Sequence, residues 1–101
     1  MTEPRLTETG NGSWLLEGDL NFSSVPAVLE SPPTDLTGSR EIQVDLKGVT
    51  RADSAGLALL LEWLRESERA GKTITFTHVP EQLLAISRLC GLDEILSFNN
   101  E

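Results

Sequence analysis

The residues best equipped for chemistry stand together as Asp53-Ser54-Ala55-Gly56, where a polar stretch gives way to a run of leucines. A hydroxyl beside a carboxylate at a helix start meets backbone N–H groups that have no partner within the helix. Three uses of that hydroxyl follow. It can cap the helix, accepting from the first turn and contributing typically about 1 kcal/mol. It can receive a phosphate, which brings about −1.5 to −2 charges; the helix N-terminus favours that charge and Asp53 opposes it. It can sit in a docking surface, because Ala55 and Gly56 are small enough to let another surface approach. Asp53 is also able to be the cap, leaving Ser54 as the first helical residue.

Other reactive side chains are sparse. His78 is the sole histidine and sits just before Pro80, a loop context. Cys90 is the sole cysteine, so no intrachain disulfide forms, and its neighbours Leu89 and Leu92 suggest a small core residue. Asp19, Asp45 and Asp53 have no His or Cys at metal-ligand spacing beside them, so no metal site is expected. Neither a nucleophile–base pair nor a Gly-rich phosphate loop is present in recognisable context. The chain reads as non-enzymatic and without a cofactor.

These residues must be held by one domain, because 101 residues is close to the common domain size. The net charge of −8 argues against nucleic acid or an anionic membrane surface as a partner. It suits a basic patch on a protein. No apolar run approaches a membrane span, and the first 20 residues hold no signal-peptide core, so a cytoplasmic protein is expected.

Residues 1–4 are polar and expected to be loose. A short strand over 6–9, an Asn11-Gly12 turn and a returning strand over 14–17 make a hairpin. Residues 22–30 place Phe22, Val25, Val28 and Leu29 at roughly helical spacing, with Ser23 or Ser24 as cap and Pro26 in the first turn. Pro32-Pro33 stops that helix, and a turn-rich loop follows. Residues 41–46 alternate as a half-buried strand. The strongest helix covers 55–70, with Gly71 after it. A strand over 73–77, a helix opened by Pro80 and closed by Gly91, and a short strand or turn over 95–98 complete the chain. The order implies an α/β mixed sheet of four to five strands, with helices mainly on one face.

On the long helix, Leu57, Leu60, Leu61 and Leu64 follow i, i+3, i+4, i+7 spacing and predict the core stripe. At about 100° per residue, Leu59 falls far from that stripe and Trp63 at its margin. Together they make either a second, sticky face for a partner or a surface covered by neighbouring elements.

The signature around Asp53-Ser54-Ala55-Gly56, after the strand Ile42-Gln43-Val44-Asp45-Leu46, resembles that of the STAS domains. Those are the anti-sigma factor antagonists and modules of anion transporters. Gly18-Asp19-Leu20-Asn21 and Gly91-Leu92-Asp93-Glu94-Ile95-Leu96 resemble the family's strand exit and closing segment, so the likeness spans nearly the whole chain.

The resemblance implies one of two roles. Gly56-Leu57-Ala58-Leu59-Leu60-Leu61, approached by Arg51-Ala52-Asp53-Ser54, is similar to the small STAS subunit of Mla-type phospholipid-transport ABC complexes. That branch implies a partner in the ATPase subunit (MlaF-like) and, through it, the membrane permease, which holds the protein at the inner membrane. The antagonist branch implies an anti-sigma factor serine kinase as partner, with Ser54 as phosphoacceptor. Asn21 in place of the antagonists' usual Asp favours the first branch. A pure scaffold or small-molecule sensor ranks last, because no ligand-pocket signature is visible. The expected contact surface is Ser54, Asp53, Ala55 and Gly56, with Leu59, Val28 and Leu29 nearby.

Overall fold

The computed structural model describes residues 3–30, 38–92 and 98–99. Strands β1 (Arg5–Gly10) and β2 (Ser13–Leu20) form an antiparallel hairpin around Asn11-Gly12. Gly12 has φ +80 and presses on the next strand: a Cβ there would stand 2.4 Å from the Glu41 carbonyl oxygen. Its own carbonyl accepts from Gln43 N–H at 2.7 Å, so the turn docks on the start of β3 (Glu41–Ala52). Residues 3 and 4, expected to be loose, pass directly over Gly18 of β2.

Strand β3 lies parallel to β2 on one side and to β4 (Thr73–Thr77) on the other. It is longer than the alternation over 41–46 predicts. Past Asp45 the register slips twice: Leu15 faces Asp45 but Glu17 faces Gly48, and Gly18 faces Val49 but Asp19 faces Arg51. Each slip is a bulge in β3, and a bulge breaks the period-2 pattern from which a strand is read. The Asp45 carboxylate helps hold the first one, accepting from Lys47 N–H at 2.8 Å.

Helix α1 is only Val25–Leu29, α2 is Ser54–Arg69 and α3 is Glu81–Leu89. A two-residue strand, β5 (Phe98–Asn99), pairs parallel with β4. The rest of the expected 95–98 element, and Pro32-Pro33, lie outside the described residues. Sheet order follows chain order, β1-β2-β3-β4-β5. The fold is thus the expected α/β mixed sheet. Trp14, Leu16 and Leu20 of β2, Ile42, Val44 and Leu46 of β3, and Ile74 and Phe76 of β4 share one face and form a single core with the helices. The alternate positions are half-buried or exposed.

Three expectations are corrected. The buried stripe of α2 runs through Gly56, Leu59, Leu60, Trp63 and Ser67, rotated by about 90° from the leucine stripe at 100° per residue. Leu59 and Trp63 are fully buried, while Leu61 and Leu64 are only partly buried. The true stripe carries a glycine and a serine, which no count of apolar residues includes. Ser67 tolerates burial because its hydroxyl donates to the Leu64 carbonyl at 2.7 Å. Cys90 is exposed rather than core, since α3 ends one residue before it and turns it outward. Phe22, expected on the buried face of a helix, precedes α1 in a turn and is 75% exposed.

Candidate functional site

The C-terminal ends of the parallel strands β2 and β3 meet the start of α2, the end of an α/β sheet where ligands and partners commonly sit. Asp53 N–H donates to the Leu20 carbonyl at 3.1 Å, tying the start of α2 to the exit of β2. Asp53 is the helix cap: its Oδ1 accepts from Ala55 N–H at 2.8 Å. Of the two alternatives open in the sequence, the structure therefore selects Asp53. Ser54 becomes the first helical residue, exposed, with its hydroxyl not used to cap the helix.

The β2–α1 connection is locked beside it. Asn21 Oδ1 accepts from the N–H groups of Ser23 and Ser24, at 2.9 and 3.0 Å. Ser24 Oγ accepts from Asn21 N–H at 2.9 Å and donates to the Asp19 carbonyl at 2.6 Å. Ser24 stands at the N-cap position, as expected, but its side chain makes no capping bond; Asn21 instead holds the preceding turn, as an Asx turn. The rigid turn holds the exposed Phe22. Thr50 donates to the Asp19 carboxylate, and Gln82 of α3 accepts from Ala52 N–H at 3.2 Å through Oε1. Asp19, Asn21, Thr50, Arg51, Asp53 and Gln82 line an open groove at this end.

The expected contact residues divide sharply. Ser54 and Leu29 are exposed and Asp53 half-buried. Ala55, Gly56, Val28 and Leu59 are buried in the chain on its own. Gly56 is small for an internal reason: Leu20 and Leu83 close over it, and a Cβ there would stand 3.1 Å from Leu20 Cβ. Val28 faces the core from α1, and Leu59 lies in the rotated stripe of α2.

His78 follows β4 as a loop residue with φ 52, its Nδ1 3.0 Å from Asp45 Oδ1. Lys47 Nζ stands 3.6 Å from the other oxygen of Asp45. Among the described residues, no cluster of His, Cys, Asp and Glu could hold a metal ion, and no helix is long and apolar enough to cross a membrane.

A mixed sheet with a hairpin at one edge, helices on one face and an exposed serine at the first turn of the central helix defines a domain of the STAS type. The sequence profile described as "Mlab, STAS domain" matches residues 8–97, and the chain belongs to that family. It is 36% identical over 53 residues to the intermembrane phospholipid transport system binding protein MlaB of Haemophilus influenzae. That match covers 52% of this chain and 50% of MlaB, so the chain aligns with about half the length of this curated relative.

Solved structures carry the same fold at lower identity. The unphosphorylated anti-sigma factor antagonist SpoIIAA aligns with a TM-score of 0.74 at 16% identity, over 97% of this chain and 87% of its own. The phosphorylated SpoIIAA from Bacillus gives 0.70 at 16%, over 97% and 90%. A sulfate transporter family protein from Wolinella succinogenes gives 0.66 at 18%, over 93% and 80%.

Proposed function

We propose that this chain is the STAS subunit of an Mla-type phospholipid-transport ABC transporter. In this reading it binds the ATPase subunit and performs no chemistry itself. It works in the cytoplasm, held at the inner membrane through the ATPase and the permease. Binding only the assembled, competent state of the ATPase favours that state by mass action. The family match and the likeness to MlaB support the transporter context.

The observation that carries the docking role is Ser54. Asp53 has taken over the cap, so the fold does not need the Ser54 hydroxyl, yet that hydroxyl stands exposed at the start of the central helix. Tagged chain, purified from native lysate, is expected to bring down an ABC ATPase and a permease, and Ser54→Arg to lose both. Recovery of neither by the unsubstituted chain contradicts the proposal.

A second reading rests on the same hydroxyl. An exposed serine at the first helical position is open to a kinase, and the fold is shared with SpoIIAA, solved with and without phosphate. Under this reading the chain is an anti-sigma factor antagonist. The lysate would then yield a serine kinase, with phosphate on Ser54.

A further inference from the structure

From Leu20 to Leu29 the chain carries no charged residue, and from Ser54 to Leu61 again none. Those stretches lie side by side, because α1 packs on α2 and Asp53 N–H bonds the Leu20 carbonyl. Their exposed members include Phe22, Pro26, Ala27 and Leu29 on one side and Ser54 and Ala58 on the other. Phe22 dominates: the residue is 75% exposed, while its turn is fixed by the Asn21–Ser24 hydrogen bonds. A large ring on a rigid turn loses little freedom on binding, the property of interface anchors.

Charge returns at the boundary. Asp19, Glu30, Asp53 and Glu62 flank the two stretches, against Arg51 and Arg65, and Arg65 already faces Glu62 at 3.9 Å. Two adjoining uncharged stretches bounded along the chain by charged residues have the composition of an interface centre and its polar rim. The net acidic rim disfavours a second copy of this chain and an anionic lipid surface, since like charges repel.

We infer that Phe22 anchors the complex, inserting into an uncharged socket on the ATPase subunit that is ringed by basic side chains. The inference rests on the transporter reading proposed above and identifies what holds that interface together.

The test is the affinity of the purified chain for the Mla-type ATPase subunit of its own organism, measured by titration calorimetry. Phe22→Ala is expected to weaken binding by about 30-fold or more, the loss typical of an anchor residue. Its melting temperature should stay at the parent's, since the ring contributes little to the core. Ala58→Arg, on the other stretch, should weaken binding as well. Association of the parent chain should slow as sodium chloride is raised, because the opposed rims are screened.

Affinity for the ATPase unchanged in both variants, with the parent binding normally, overturns the anchor and leaves the transporter reading intact. So does ATPase binding that is independent of Phe22, with Phe22 instead required for a dimer of this chain. A parent chain that does not bind the ATPase overturns both.

Discussion

Leu20 rests against Gly56 so closely that a methyl group added to the glycine would stand 3.1 Å from Leu20 Cβ. The strand that ends at the site and the helix that begins there are thus packed backbone to side chain. A larger residue must push Leu20 or Leu83 aside. Gly56→Val is therefore expected to destabilise the domain by about 1–3 kcal/mol, the usual cost of overpacking. Urea denaturation measures this, and an unchanged midpoint would show that the packing is loose.

Asp53 holds the first turn of α2 through its bond to Ala55 N–H. Asp53→Ala is expected to cost about 0.5–2 kcal/mol, and Asp53→Asn much less, because Asn caps nearly as well. Equal losses for the two variants in thermal unfolding would assign the effect to charge instead of the cap.

Ser54 is exposed and does not cap the helix. Ser54→Asp should leave folding stability within about 0.5 kcal/mol, as for most surface positions. Its binding to the partner should fall under both functional readings. The two measurements separate a docking residue from a structural one.

The rotated stripe of α2 makes a comparative prediction. Leu59→Ala empties a fully buried site and should cost about 2–5 kcal/mol. Leu61→Ala, at a partly buried site, should cost under about 1.5 kcal/mol. The reverse order in chemical denaturation would restore the stripe read from leucine spacing.

Cys90 follows the last residue of α3 in the open. A thiol reagent should modify it in native buffer, with no denaturant. Protection released only on unfolding would return Cys90 to the core.

Much of this architecture is visible in residue order. The Asn11-Gly12 turn, the alternation over 41–46 and over 73–77, and the glycines after α2 and α3 place six of the main elements. What stayed hidden has definite physical causes. The far half of β3 is masked by bulges that break its alternation. The face of α2 is misread because Gly56 and Ser67 belong to it. The short α1 starts only at Val25, after the expected cap position Ser24, because Asn21 builds a turn over Phe22, Ser23 and Ser24 ahead of it. At the site, the sequence singles out Asp53 and Ser54 but leaves their roles interchangeable, since choosing between two adjacent caps needs the hydrogen-bond geometry. Phe22 was hidden for a different reason: an apolar residue at helical spacing reads as core, and only the Asn21–Ser24 lock turns it outward.

The strands stand in the sheet in the order in which they are translated. Each new strand therefore adds to the growing edge, and none has to be inserted between two already paired. The β1–β2 hairpin forms from local contacts and offers β2 as a template before β3 leaves the ribosome. Within this fold, the edge left waiting at each stage of synthesis is the one the next segment covers, which shortens the exposure of unpaired backbone to other chains.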